Sequence, residues 1–312
     1  MRTCVTGGAG FIGSNLVDRL VADGHEVVVL DNLSTGDLAN LADSRKSIRF
    51  LEGDLRDPAA VAEAVAGCEV VYHMAALASV QRSVEDPQEV TDVNVGGTLN
   101  LLVACRDAGV RRFVFASSSS IYGNTPTLPK DESMPPSPLS PYAASKVAGE
   151  AYIAAFDDAY GLRGICPRYF NVYGPRQSAG SQYAAVIPLF VDAMSRGQPP
   201  VIHGDGGQTR DFTYVGNVVD ALVLAATAPD ARGPMNIGGG GQRISILDLA
   251  TSIAKAVGYD GEFVHEDPRV GDVRDSLADI SRAQELLGWE PKVGLDEGIA
   301  RTVEAARRAS LA

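Results

Sequence analysis

The sequence predicts an α/β protein, a doubly wound parallel sheet followed by a smaller C-terminal α/β domain. Three observations carry this. Strand cores such as Glu26-Val27-Val28-Val29-Leu30 and Val70-Val71-Tyr72-His73-Met74-Ala75-Ala76 are apolar almost without interruption, as strands buried on both faces are. They alternate with helical patterns, the order expected of parallel sheets. After Asn171 the alternation yields to a stretch over 172–182 rich in Gly, Pro, Arg and Ser. The first domain is therefore read as 1–170 and the second as 171–312, interleaved by a segment that returns to the first near 210–230.

Residues 2–6 read as a short strand. Gly7-Gly8-Ala9-Gly10-Phe11-Ile12-Gly13 follows, then a helix with Leu16, Val17, Leu20 and Val21 on its apolar face, stopping at Asp23-Gly24. The next strand ends in Asp31. A glycine turn between strand and helix lets a pyrophosphate approach the helix N-terminus, and an acid at the end of the second strand takes the adenosine ribose hydroxyls. Asp31 would repel a 2′-phosphate, so NAD is expected rather than NADP. The strand 48–55 brings Asp54 and Leu55 to flank the adenine, and His73 in the next strand reads as a packed residue. A long helix is predicted over 87–108, carrying Asn94, then the strand Arg112-Phe113-Val114-Phe115-Ala116.

That strand runs into Ser117-Ser118-Ser119-Ser120-Ile121-Tyr122. A loop with prolines at 129, 135, 136, 138 and 141, read as surface, leads to Ser140-Pro141-Tyr142-Ala143-Ala144-Ser145-Lys146. Ser140 suits the cap of a helix and Pro141 its first position. Tyr142 and Lys146, four apart, stand on one face. An ammonium beside a phenol favours the phenolate, and a tyrosine so tuned can exchange the proton of a sugar hydroxyl. A strand over 164–171 follows. Further helices are predicted over 186–196, 215–228, 245–257, 281–287 and 296–309, with a final part starting at Asn236.

Composition narrows the function. A net charge of −12 disfavours binding to a nucleic-acid backbone, and no apolar run has the length of a membrane span. The N-terminal residues enter a strand directly, so no secretory signal is expected. Cys4, Cys68, Cys105 and Cys166 lack metal spacing and read as buried reduced thiols of a cytoplasmic enzyme; no metal site is expected.

The motifs together resemble the extended short-chain dehydrogenase/reductases, and within them the nucleotide-sugar 4-epimerases. The likeness runs nearly end to end, through Thr6 to Gly13, Asp31 to Gly36, Asp54-Leu55, His73 to Ala76, Asn94, Tyr142 with Lys146, and Arg168-Tyr169-Phe170-Asn171-Val172-Tyr173-Gly174-Pro175-Arg176. Gly204-Asp205-Gly206, Arg210-Asp211-Phe212 and Arg269 to Arg274 extend it. The resemblance implies a Rossmann NAD-binding domain, a nucleotide-sugar substrate domain and a homodimer packed through the helices near 87–108 and 142–160. It makes Tyr142 the general base, Lys146 the holder of the nicotinamide ribose and Ser118 the catalytic serine. It assigns NAD to Gly7, Gly10, Phe11, Ile12, Asp31, Asn32, Ser34, Gly36, Asp54, Leu55, Ala75, Ala76, Asn94 and Tyr169 as well. The UDP-sugar would meet Ala78, Ser118, Ser119, Asn171, Ala185, Val186, Arg210, Arg269, Asp272 and Ser276.

Relatives are separated by what is missing. Family 4,6-dehydratases carry an Asp-Glu pair where this chain has Ser119 and Ser120. Uronate epimerases carry an arginine at the place of Ser178, and tend to have Thr at that of Asn171. A neutral hexose is thus expected. Epimerases restricted to glucose and galactose carry a tyrosine at the place of Ser276 and a lysine at that of Ala78. With Ala185, these small residues leave room for an N-acetyl group, so UDP-N-acetylglucosamine is expected beside, or ahead of, UDP-glucose.

Overall fold

The computed structural model describes residues 1–180, 185–268 and 274–309. β1 (Arg2–Thr6), α1 (Phe11–Ala22), β2 (Glu26–Asp31), β3 (Ile48–Glu52), α2 (Pro58–Val65) and β4 (Val70–His73) come first. Helices α3 (Val80–Glu85), α4 (Pro87–Thr91) and α5 (Gly97–Asp107) lead to β5 (Arg112–Phe115), the two-residue β6 (Ser117–Ser118), α6 (Pro141–Tyr160) and β7 (Arg163–Tyr169). Beyond lie β8 (Val172–Tyr173), α7 (Val186–Ser195), β9 (Val201–His203), β10 (Thr209–Arg210), β11 (Thr213–Tyr214), α8 (Val215–Thr227) and β12 (Gly233–Ile237). The chain ends through β13 (Ile244–Ser245), α9 (Ile246–Val257), β14 (Val264–Glu266), α10 (Ser281–Leu287) and α11 (Leu295–Ala309).

The main sheet has the order β12-β7-β5-β4-β1-β2-β3, with β6 continuing the line of β5 along β7. Each of its pairings is parallel. The doubly wound sheet expected from the sequence is therefore the one observed. Alternate residues of its apolar strands enter two layers. Val5, Val27, Val29 and Tyr72 pack with α1 and α8, whereas Cys4, Val28, Val71 and Phe113 pack with Val61, Leu101 and Ile153 of α2, α5 and α6. All four cysteines are buried and free. The strand order reverses between β1 and β4, which opens a crevice at their carboxyl ends where such folds bind ligands.

The later segments form three two-stranded pairs, β8 with β11, β9 with β14 and β10 with β13. Asn217 of α8 fastens the segment between α10 and α11 to the core: its Oδ1 accepts from Lys292 and Val293 backbone N–H at 3.0 Å each, and its carbonyl accepts from buried Trp289 Nε1 at 2.9 Å. No described helix is long and apolar enough to cross a membrane.

Three expectations change. The return to the main sheet extends through β12, because Gly233–Ile237 pairs along β7 instead of starting the final part at Asn236. The helix over 87–108 is interrupted by a π turn at Asp92–Gly96, which carries Asn94. The proline-rich loop is not wholly at the surface. Lys130 is buried, its ammonium donates to the Thr125 carbonyl, and its backbone exchanges hydrogen bonds with Leu277 and Asp279.

Candidate functional site

The first cavity, of about 280 Å³, occupies the switch-point crevice. The expected residues Gly7, Gly10, Phe11, Ile12, Asp31, Asn32, Ser34, Asp54, Leu55, Ala75 and Ala76 line it. Gly7 has φ +69°, and a Cβ there would lie 2.6 Å from Ala75 Cα; a Cβ on Gly13 would lie 2.1 Å from the Gly7 carbonyl oxygen. The turn can thus press against β4 and α1 only with glycine at these places. α1 has no side-chain cap and no acid in its first turn, so its N-terminal N–H groups are left to an anion. Asp31 ends β2 with Oδ2 accepting from Ala9 N at 2.9 Å and Oδ1 from Leu33 N at 2.8 Å. Bare helix end, close-approach glycines and strand-end carboxylate together fit the pyrophosphate and ribose of NAD.

Other placements refine the expectation. Asn32 Nδ2 donates to Asp54 Oδ2 at 2.9 Å, and Asp54 is forked by Arg56, which holds its carboxyl well below the usual range. Arg56, Met74 and Arg82 also line the cavity, unsignalled by the motifs. Gly36 sits behind Ala9 and Asp31. Asn94 lies behind Leu77, which lines the cavity. It is buried, bonds both the N–H and the carbonyl of Leu77, and donates to Ser145 Oγ at 3.1 Å. The π turn carries it towards α6, which a regular helical pattern does not reveal. His73 is packed as expected, with Thr6 Oγ1 at 2.7 Å and Thr98 Oγ1 at 2.8 Å on its two ring nitrogens.

Ser118, Tyr142 and Lys146 come together where β6 meets the start of α6. Ser140 Oγ caps α6, accepting from Ala143 N at 3.1 Å, and Pro141 opens the first turn. Ser118 lies beside Tyr142, and its Oγ accepts from Ser120 N at 3.1 Å; Ser119 begins the 3₁₀ turn that follows. Lys146 is 2% exposed, and its Nζ donates to the Ala116 carbonyl at 2.7 Å. Its ammonium lies 5.7 Å from the centroid of the Tyr142 ring.

The expected tuning of the tyrosine by the lysine is not what the chain alone produces. Burial pushes the Tyr142 phenol up, and it is the Ser118 hydrogen bond that pulls it back. Burial lowers Lys146 to about 8, opposed by Glu150 one turn further along α6. The ammonium is turned to a carbonyl, and desolvation of the phenolate is the larger effect. Tyr169 stands beside this group, with its OH 3.7 Å from Met74 Sδ of the first cavity.

A second cavity, of about 510 Å³, lies across β8, α7, β9 and β10. Asn171, Ala185, Val186 and Arg210 line it as expected, joined by Gln177, His203, Gln208 and Phe212. Arg210 Nη1 donates to the carbonyls of Thr209 and Arg274 at 3.0 Å each. Its neighbour Asp211 is fully buried and pinned by Gly239 N at 2.5 Å and Ala278 N at 3.0 Å, which anchors this strand to the end of β12. Among the described residues, Gln177 Oε1 is buried without a partner. Ala78 lines the first cavity, and Ser276, whose N–H donates to Thr209, lines neither. Arg269 and Asp272 lie outside the described residues.

With this geometry in hand, comparison with known proteins places the chain. Residues 3–238 match the NAD dependent epimerase/dehydratase family. A UDP-glucose 4-epimerase of Mycolicibacterium smegmatis is 47% identical, over 99% of this chain and all of its own length. The UDP-N-acetylglucosamine 4-epimerase from Methanobrevibacter ruminantium, solved with UDP-N-acetylmuramic acid, superposes with a TM-score of 0.95 at 39% identity, over 99% of this chain and 98% of that one. The UDP-glucose 4-epimerase of Thermus thermophilus, solved with NAD, gives 0.90 at 42% identity, over 99% of this chain and all of that one. The chain therefore belongs to the NAD dependent epimerase/dehydratase family and is an NAD-dependent enzyme.

Proposed function

We propose that the chain catalyses 4-epimerisation of a UDP-hexose through a transient 4-keto sugar, and accepts UDP-N-acetylhexosamines beside, or ahead of, UDP-glucose and UDP-galactose. The observation that carries the reading is the convergence of Ser118, Tyr142 and Lys146 beside Tyr169. Tyr169 touches Met74 of the first cavity and lies two residues before Asn171 of the second. A proton-transfer pair so placed serves a sugar lying between the two cavities.

In this reading Tyr142 takes the proton of the sugar 4-hydroxyl while Ser118 Oγ holds the same oxygen. Lys146 supplies positive charge beside the phenol and donates to the nicotinamide ribose. NAD, when bound, supplies reversible hydride acceptance at the sugar C4. Once the 4-keto sugar has turned over in the pocket and C4 is reduced on its other face, Tyr142 returns its proton to the C4 oxygen. Asn171 and Arg210 bind the diphosphate by charge-assisted hydrogen bonds, with Arg269, while Asp272 holds the nucleotide ribose. Residues 1–170, with the returning α8 and β12, hold the cofactor, and the rest of 171–312 holds the nucleotide sugar. Ser119 and Ser120 offer no acid for an elimination, and Ser178 offers no cation for a uronate.

Support for the wider substrate range is the size of Ala78, Ala185 and Ser276, together with relatives active on both plain and N-acetylated sugars. The test is one assay on the purified protein with UDP-glucose, UDP-N-acetylglucosamine and UDP-glucuronic acid, products separated by chromatography. Turnover of the first two supports the reading. Turnover of the glucuronate alone, or a dehydrated product, overturns it.

We also infer a homodimer in the cytoplasm. Val84 on α3 and Tyr160 at the end of α6 are 65% and 55% exposed, with Val80 and Tyr152 on the same two helices, and the free thiols suit a reducing compartment. A stable monomer at micromolar concentration in sedimentation would contradict the dimer.

A further inference from the structure

Beneath the Ser118–Tyr142–Lys146 group lies a buried ion pair outside the expected catalytic set. Arg168 of β7 and Glu150 of α6 have side chains only 4% and 12% exposed. The arginine forks the carboxylate, Nε to Oε1 at 2.9 Å and Nη2 to Oε2 at 2.7 Å. Ser117 Oγ donates to the same Oε1 at 2.5 Å. Arg168 Nη1 donates to Tyr122 OH at 2.8 Å, and Tyr122 donates to Asn236 Oδ1 at 2.7 Å. The segment 117–122, which bears Ser118, is thus held near both ends by one pair of charges. Glu150 also stands one turn beyond Lys146, on the same face of α6.

We propose that Glu150 is a positioning residue for the catalytic group: its carboxylate holds the Ser118 strand through Ser117 and keeps the Lys146 ammonium charged. The proposal rests on the catalytic reading above. A pair serving stability alone needs neither the hydroxyl of Ser117 nor a place one turn from the lysine. The charge argument has a definite sign. Burial lowers Lys146 to about 8, and Glu150 is what opposes the fall. His73 faces the lysine from β4, but burial holds it neutral, down to about 3. Tyr142 faces it from its own helix, with its phenol pushed up by burial. Glu150 is therefore the anion that offsets the desolvation of Lys146, and Arg168 keeps that carboxylate in place. Without it Lys146 loses its proton at lower pH.

The test is Glu150→Gln in the NAD-loaded protein, read by the pH profile of kcat/KM for a UDP-hexose. The limb of the profile set by Lys146 should move to lower pH by about one unit, while Glu150→Asp restores much of the shift. The double variant Glu150→Met with Arg168→Met guards against misfolding, since replacing both members of a buried pair by apolar residues is tolerated where removing one is not; it should show a smaller shift of the same sign, because a cation leaves with the carboxylate. Lower turnover with both limbs in place would overturn the proposal and leave only a structural pair. A second readout does not depend on turnover. In an NMR titration of 15N-labelled lysine, the Lys146 midpoint should fall by about one unit in Glu150→Gln. An unmoved midpoint refutes the proposal. A moved midpoint in a protein that epimerises no UDP-hexose would instead refute the catalytic reading and keep this one.

Discussion

The two cavities are built in different ways. The first is a backbone construction. Its turn needs glycine at Gly7 and Gly13, its anion site is the bare end of α1, and its acid Asp31 is tied by two backbone N–H groups. Every part follows within one β-α-β unit of contiguous sequence. The second cavity is a side-chain construction assembled from a distance. Arg210 is held by the carbonyl of Arg274, and Asp211 by N–H groups of Gly239 and Ala278. Its walls come from short strands whose partners lie far along the chain. The first is rigid because a parallel sheet carries it, and the second is where substrate choice can change without disturbing the sheet.

The largest effect is expected at the boundary between them. Tyr142→Phe removes the proton carrier and should lower kcat by roughly 10²–10⁴-fold, with melting temperature and bound NAD unchanged. Substantial remaining turnover would remove Tyr142 from its role. Inside the first cavity, Gly13→Ala forces a Cβ to 2.1 Å from the Gly7 carbonyl, so the turn must shift. NAD retention should be lost, with about 1–3 kcal/mol of stability, measured by cofactor content and chemical denaturation. If the variant keeps its NAD, the close-approach account of the turn fails.

A change in the second cavity should leave the first alone. Arg210→Ala is expected to raise KM for a UDP-hexose by about tenfold or more, the worth of a charge-assisted hydrogen bond, with NAD content as in the parent. Loss of cofactor in this variant would show that the two cavities are not independent. The smallest effect is one of selectivity. Ser276→Tyr should suppress UDP-N-acetylglucosamine against UDP-glucose by about tenfold in kcat/KM. Equal loss of both substrates would show that Ser276 does not form the sugar wall.

The contrast also explains what the sequence revealed. The strand runs Val27–Leu30 and Val70–His73, the glycine turn and Asp31 are contiguous signals with a local cause, and each took its expected place. So did the capped start of α6, because Ser140 and Pro141 act within one turn. β12 was not legible as a sheet strand, because only its pairing with β7 across a distant stretch of chain makes it one. The bonds of Asn94 to Leu77 and Ser145 were not legible, because a π turn carries the residue. Glu150 repeats the four-residue spacing of Tyr142 and Lys146, a signal that acquires meaning only once Arg168 and Ser117 are seen on its carboxylate. The burial of Tyr142 was not legible, because spacing reports which face a residue occupies and not how deeply it is buried.

The most direct test of the central claim, proton exchange by Tyr142 coupled to internal hydride return at C4, is to run the reaction with UDP-glucose in D₂O and follow the sugar by NMR. The account predicts UDP-galactose whose hydrogen at C4 is the original one, with no deuterium on any carbon. Deuterium at C4 or C5, or loss of water from the sugar, would contradict it.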